Sequence, residues 1–196
     1  QVTTALQGGV GVGTGGVTEA LKNRVIMPIT ELNSQTRHVL GHELVHAFQY
    51  HSLLEQDSLS LENISQVPLW MIEGMAEYLS IGKKDAFTSM WMRDALLNRD
   101  IPSLKDLTNS NRYFPYRYGQ AFWTFIGSVY GDTTIVPLLK NTARFGYENS
   151  LRYTLGYDDK ALSGLWKNAI ESHYRPLLKA DSAQVRITGT KIVDNK

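Results

Sequence analysis

The stretch of residues 35–50 reads QTRHVLGHELVHAFQY and is typical of a long amphipathic helix. Its apolar residues recur every three or four positions, and no proline interrupts it. This spacing collects the apolar side chains on one face of a helix. We therefore predict a helix over 35–50, and the motif inside it guides the interpretation of the rest of the sequence.

The centre of this predicted helix is an HExxH motif, formed by His42, Glu43 and His46 with two residues between the last two. Residues four apart share a helix face, so the two imidazoles can bind one metal ion. Glu43 lies beside them and could take a proton from a metal-bound water. In a chain of this composition the motif arises by chance with a probability of roughly half a per cent. The alternative is that both histidines are partly exposed polar residues of an ordinary helix.

A second predicted helix, over 68–82, carries the sequence WMIEGMAEY. A catalytic zinc takes three protein ligands and keeps one position open, and Glu73 is the predicted third ligand. Glu77 lies one turn further on, where it could accept a hydrogen bond from a ligand imidazole. Gly74 weakens a helix by about 1 kcal/mol relative to alanine, which favours a close approach of two helices at this point. The alternative is a solvated face of glutamates.

The pair HELVH and WMIEGMAEY resembles the gluzincin metallopeptidases, specifically the peptidase MA-like group. The match is densest over 37–79, and a looser similarity extends to about residue 174. The resemblance implies one Zn²⁺ per chain with His42, His46 and Glu73 as ligands and Glu43 as the catalytic base. It also implies a zincin-like domain with a small N-terminal sheet and an active-site helix.

Gluzincins commonly stabilise the oxyanion with a tyrosine or histidine from a later helix, and Tyr118 aligns with the start of that helix. Tyr116 and Tyr113 are alternative candidates for this role, and simple packing is the alternative for all three tyrosines.

His38 precedes His42 by one turn but lies about 12 Å along the helix from His46, so it does not share the ion. We expect His38 to support a ligand, face the substrate or be merely exposed.

The resemblance predicts peptide-bond hydrolysis by a zinc-activated water, with a peptide or protein substrate added along a strand edge near 24–29. The alternative function is a catalytically silent binding or scaffolding module of a larger protein. The resemblance further implies a secreted or periplasmic protein, with a β-propeller as a possible neighbouring domain. The start at Gln1 also favours an excised part of a longer chain.

The composition excludes or disfavours several other classes of function. The 196 residues contain no cysteine, which excludes disulfides, thiolate metal sites and a cysteine nucleophile. A net charge of +1 gives no strong field toward nucleic acid, and no apolar run approaches the length of a membrane span. Residues 11–16 satisfy a GxGxxG pattern, but neither a preceding strand nor a βαβ unit accompanies it, so nucleotide binding is disfavoured.

The fold class expected from these patterns is α+β and mostly helical. We assign 1–181 to one peptidase domain, with a glycine-rich strand region at 1–34 and a helical part at 35–181, and 182–196 to a tail or the start of a following domain. The four tryptophans are expected in the core. Further helices are predicted at 85–98, 116–130, around Pro137, at 147–155 and at 159–173, and strands at 24–29 and 184–188.

Overall fold

The computed structural model describes residues 15–19, 24–54 and 65–184. Over these ranges the chain is mostly helical, and its strands form one small antiparallel sheet, in agreement with the predicted α+β class. No helix within the described ranges combines the length and apolar character that crossing a bilayer requires.

The sheet pairs strand β1 (Val17–Glu19) with strand β2 (Arg24–Ile26). The helices of the described part follow in chain order, with a 3₁₀ turn at Asp132–Thr134: α1 (Asn33–Leu54), α2 (Leu69–Ile81), α3 (Ala86–Leu97), α4 (Leu104–Asn109), α5 (Pro115–Val129), α6 (Ile135–Phe145), α7 (Tyr147–Leu155) and α8 (Asp159–Gln184).

Most predicted boundaries agree with the structure to within a residue or two, because the capping residues act as expected. Pro68 precedes α2, and Gly82, with φ of 85°, follows it. The side chain of Asp85 accepts a hydrogen bond from the backbone N–H of Thr88 at the start of α3. Sequence reasoning missed α4, which is too short to show periodicity. Its Ser103–Asp106 capping box was the available signal.

Three predicted boundaries are wrong. The strand predicted at 24–29 ends at Ile26, because Pro28 lacks a backbone N–H and restricts the residue before it. Helix α1 extends to Leu54 rather than ending at residue 50. Helix α8 continues past His173 and through Pro176 to Gln184, over a stretch rich in good helix formers.

The continuation of α8 also bears on the predicted tail. Gln184, expected to begin a strand, is helical, and the boundary proposed at residue 182 falls inside α8. Residues 185–188 of that predicted strand lie outside the described residues, as do residues 11–14 of the GxGxxG pattern. The division into domains stays a prediction.

Helix α2 forms the centre of the core and packs against α1 on one side and α5 on the other. It is buried around almost its whole circumference. Trp70 of α2, Trp123 of α5 and Trp166 of α8 are fully buried, as predicted. Trp91 is an exception: 37% of it is exposed, because it lies on the outer face of α3 against Phe114.

The contact between α2 and α5 depends on two glycines that face each other. A Cβ atom added to Gly74 would lie 2.2 Å from the carbonyl carbon of Gly119, and one added to Gly119 would lie 2.0 Å from the carbonyl oxygen of Trp70. Real Cβ atoms do not approach backbone this closely, so the two helices touch through their main chains. The close approach predicted from Gly74 is confirmed, and its partner is α5.

Replacing Gly119 by alanine should lower the free energy of unfolding by about 3 kcal/mol, because the new methyl group must push two helices apart. Urea unfolding followed by circular dichroism measures this change. The matched control is Gly164→Ala in α8, where nothing lies within 4 Å of the added Cβ. The control should instead gain roughly 0.5 to 1 kcal/mol from helix propensity. Equal stabilities for the two variants would contradict the close contact.

Candidate metal centre

The packing of α1 on α2 brings the predicted ligands together. His42 and His46 lie one turn apart on α1, and Glu73 and Glu77 lie one turn apart on α2. The two pairs face each other across the helix contact, and His42, His46 and Glu77 are buried. His42, His46 and Glu73 form a group whose ligand atoms could hold one metal ion.

The three donor atoms of this group are nearly equidistant. Nε2 of His42 lies 3.0 Å from Nε2 of His46 and 3.1 Å from Oε2 of Glu73, and the last two atoms are 3.3 Å apart. Metal–donor distances of 2.0 to 2.2 Å in a tetrahedral site imply separations between donors of roughly 3.3 Å. The triangle therefore has the size that a tetrahedral Zn²⁺ site requires.

The tautomer of His46 follows from its neighbours. The side-chain amide of Gln49 donates from Nε2 to the carbonyl oxygen of Ile72 at 3.0 Å, which directs its Oε1 toward Nδ1 of His46 at 2.8 Å. An amide oxygen only accepts, so Nδ1 of His46 carries the proton. Its Nε2 then presents a lone pair to His42 and Glu73, as a metal ligand must.

Glu77 acts on His42 in a similar way. Its Oε1 lies 2.9 Å from Nδ1 of His42, although the contact is too bent for a well-formed hydrogen bond. An anionic oxygen at this distance favours a proton on Nδ1 and leaves Nε2 with its lone pair. Glu77 thus lies beside the imidazole of His42, and its role in orienting a ligand stays a prediction.

Without a metal ion, the carboxylates of Glu73 and Glu77 favour a proton on His42. Burial by itself lowers the pKa of His42, but the carboxylates of Glu73 and Glu77 outweigh it and raise that pKa to about 9. Burial by itself raises the pKa of Glu73, but contacts with His42 and His46 lower it to about 2. Two imidazole lone pairs and a carboxylate converging on one point repel each other unless a cation lies between them. The arrangement therefore fits a bound cation.

A second group consists of His38, His42 and Glu77. Nε2 of His38 lies 3.0 Å from Oε1 of Glu77, so the structure brings His38 to the site through that carboxylate. Arg117 donates from Nη1 to Oε2 of Glu77 at 2.8 Å and lies 3.3 Å from Asp85. Because this guanidinium already compensates Glu77, we assign the second group to holding His42 in place rather than to a second ion.

Two tyrosines flank the donor triangle. The ring of Tyr116, in the first turn of α5, stacks on His42 with centroids 5.7 Å apart, and the charge of Glu73 acts on its hydroxyl. Tyr50 stacks on His46 from within α1. Burial, followed by the charge of Glu73, raises the pKa of both phenols, so both remain protonated at neutral pH.

The structure does not bring Tyr118 to the histidines. It is buried among Tyr113 and Trp91, with its ring at right angles to both. Burial, followed by the charge of Asp100, raises the pKa of Tyr118 to about 12. Tyr113 lies in the same aromatic group, where its hydroxyl donates to Asp100 at 3.0 Å. Residues 116 and 118 are two apart on a helix and point to different sides.

Glu43 lies in the same helix turn as His42 and is buried, with 5% of its surface exposed. Its charge contributes to the raised pKa of both Tyr50 and Tyr116. Its direct partner is Thr18 of β1.

Sequence reasoning missed four residues of the site, namely Thr18, Gln49, Tyr50 and Arg117. Gln49 and Tyr50 follow His46 by three and four positions, so helical spacing could have identified them. The nearest signal for Arg117 was its place beside Tyr116 and Tyr118 at the start of α5. Thr18 had no signal of its own, because its contact crosses from the strand region to α1.

The comparisons with known proteins agree with a hydrolytic site. The chain belongs to the family described as "Peptidase of plants and bacteria", whose model matches residues 3–161. The match includes all residues of the donor triangle as well as Thr18, Glu43 and Tyr116. Searches of the curated proteins and of the solved structures gave no match.

Adding Zn²⁺ to metal-free protein should raise the melting temperature, because an ion that binds only the folded state stabilises it by mass action. The Glu73→Ala variant should lose most of this increase, since it removes one corner of the donor triangle. Differential scanning calorimetry with and without Zn²⁺ measures both. His173→Ala, at an exposed position near the end of the helical part, is the control and should keep the full increase. Equal increases in the two variants would contradict the assignment.

Proposed function

We propose that this protein is a zinc-dependent peptidase of the gluzincin type. The observation that carries the proposal is the triangle of His42 Nε2, His46 Nε2 and Glu73 Oε2, whose tautomers and charges suit a cation. Membership of a peptidase family supports hydrolysis of a peptide bond as the reaction. The HExxH motif on α1 and the glutamate on α2 support the gluzincin arrangement.

A zinc ion held by His42, His46 and Glu73 would supply a Lewis acid that makes water a nucleophile near neutral pH. Glu77 and Gln49 keep the two imidazoles in the tautomers that leave Nε2 free to bind it. Because α1 packs against α2, which lies at the centre of the core, these residues hold the site before any ligand arrives.

Glu43 is the proposed general base. It is adjacent to His42 on α1, so its carboxylate points past the donor triangle rather than into it. In the proposed reaction it accepts a proton from the attacking water and passes it to the leaving amine. Burial keeps bulk water away from this carboxylate and strengthens its interaction with the reacting groups.

Tyr116, rather than Tyr118, is the proposed donor to the oxyanion. Its ring lies against His42, and the charge of Glu73 acts on its hydroxyl, so the phenol is at the edge of the donor triangle. Its raised pKa keeps the hydroxyl protonated and able to donate a hydrogen bond. Tyr118 fills the aromatic group behind α5 instead.

The proposed substrate is an extended peptide or protein segment. Strands β1 and β2 both contact α1, which brings a short sheet next to the donor triangle. A peptide could add to the edge of this sheet through main-chain hydrogen bonds.

The Glu43→Gln variant should retain about one equivalent of zinc but lose at least about 100-fold in kcat, because it removes the base and no ligand atom. Zinc content is measured by atomic absorption and hydrolysis with a quenched-fluorescent peptide library. Glu148→Gln, at an exposed position on α7, is the control and should keep full activity. Hydrolysis at the wild-type rate by Glu43→Gln would refute the mechanism. Zinc binding by the wild-type protein without turnover of any peptide would favour a binding module.

Tyr116→Phe should lower kcat by about 100-fold, because it removes the hydroxyl that stabilises the developing negative charge. Tyr118→Phe should change kcat by less than about threefold, since its ring packing is retained and its hydroxyl is remote from the donors. Steady-state kinetics on the best library peptide compares the two variants. The opposite order of effects would return the role to Tyr118.

A further inference from the structure

The proposed general base has a direct partner outside its own helix. The hydroxyl of Thr18 on β1 lies 2.6 Å from Oε2 of Glu43 and 2.9 Å from the main-chain carbonyl oxygen of the same residue. A hydroxyl has one proton to donate, and an anionic oxygen at the shorter distance is the stronger acceptor. The contact therefore ties β1 to the carboxylate of Glu43.

The backbone just before β1 closes on the same carboxyl group. A Cβ atom added to Gly16 would lie 2.6 Å from Oε1 of Glu43 and within 2.8 Å of its Cγ and Cδ atoms. Glycine is therefore the residue that fits at this point without displacing the carboxyl group. Glu43 is confined on one side by Thr18 and on another by the main chain at Gly16.

The strand that carries Thr18 is itself anchored. β1 pairs with β2, and Glu19 of β1 lies opposite Arg24 of β2. The Arg24 guanidinium donates to the Glu19 carboxylate at 2.6 Å, and Glu19 is buried. Both strands also contact α1. This anchoring gives the Thr18 hydroxyl a fixed position relative to Glu43.

We propose that Thr18 is a positioning residue that holds the carboxylate of Glu43 in its reactive orientation. The inference rests on the proposed function, in which Glu43 is the base. Without the hydroxyl, the Glu43 side chain would have more than one rotamer available, and the base would spend less time directed at the water.

The contact admits an opposite interpretation that the same experiment distinguishes. If β1 were a cover over the base that must move aside for catalysis, loss of the Thr18 hydroxyl would raise the rate. If Thr18 positions the base, the same change lowers the rate. The sign of the effect on kcat therefore decides between the two.

The test compares Thr18→Val, which removes the hydroxyl and keeps the shape, with Thr18→Ser, which keeps the hydroxyl. Thr18→Val should lose roughly tenfold in kcat, with KM and zinc content unchanged, and Thr18→Ser should stay within about twofold of the wild type. Thr133→Val, at an exposed threonine of the 3₁₀ turn, controls for the substitution. An unchanged or raised kcat in Thr18→Val, or an equal loss in Thr18→Ser, would overturn the proposal.

A second measurement examines the contact without relying on activity. In metal-free protein, the melting temperatures of Thr18→Val, Glu43→Met and the double variant form a cycle. Thr18→Val should lower the melting temperature of the wild type clearly and that of Glu43→Met much less. Equal decreases in the two backgrounds would refute the contact. A wild-type protein that binds zinc and hydrolyses nothing would refute the proposed function, and with it the role of Thr18 in catalysis, even if the cycle shows coupling.

Discussion

The main-chain contact between Gly74 and Gly119 fixes the position of α2, and the donor triangle of His42, His46 and Glu73 depends on that position. Gly74 touches α5, and around the same helix it lies about 100° from Glu73 and about 60° from Glu77, with both glutamates on the same side of it. With α5 held against one face, Glu73 and Glu77 are directed at α1. The fully buried tryptophans of α2, α5 and α8 stabilise this arrangement through their packing in the core.

The charges around the donor triangle form a balanced set rather than an isolated pair. Glu73 faces the two Nε2 atoms, whereas Glu77 is shared between His38, His42 and Arg117. Breaking up such a buried set leaves an uncompensated charge, which is costly. This explains how a buried and a partly buried carboxylate can lie next to each other on one helix. One of them remains available to a cation, and the other orients the imidazole that would bind it.

The small sheet constrains the orientation of the Glu43 side chain, which the helices alone do not fix. Helix α1 carries both His42 and Glu43, so it fixes where the side chain of Glu43 begins but not where its carboxylate points. The Thr18 hydroxyl of β1 and the main chain at Gly16, just before that strand, lie against this carboxylate, and Thr18 precedes Glu43 by 25 residues. The N-terminal region therefore contributes to the same site as α1 and α2, consistent with the extent of the family match.

The sequence by itself determined the helices that carry the site and the candidate ligands that the structure brings together. Periodicity and capping residues are local properties, so α1, α2, α3 and α7 could be predicted from a few neighbouring residues. The HExxH spacing is equally local, because one helix turn brings His42 and His46 together. Glu73 could be added because its helix resembles one in a known family. Sequence analysis missed α4 and the continuation of α8 through Pro176, since short helices and helices with an internal proline show weak periodicity.

Only the tertiary structure decided which side chains surround those ligands. The family resemblance favoured Tyr118 over Tyr116, and only the way α5 packs on α2 turns Tyr116 toward His42 and Tyr118 into an aromatic group. The links from Arg117 to Glu77 and from Thr18 to Glu43 join residues 40 and 25 positions apart. Such contacts depend on how whole elements are oriented, and no short-range pattern encodes that orientation.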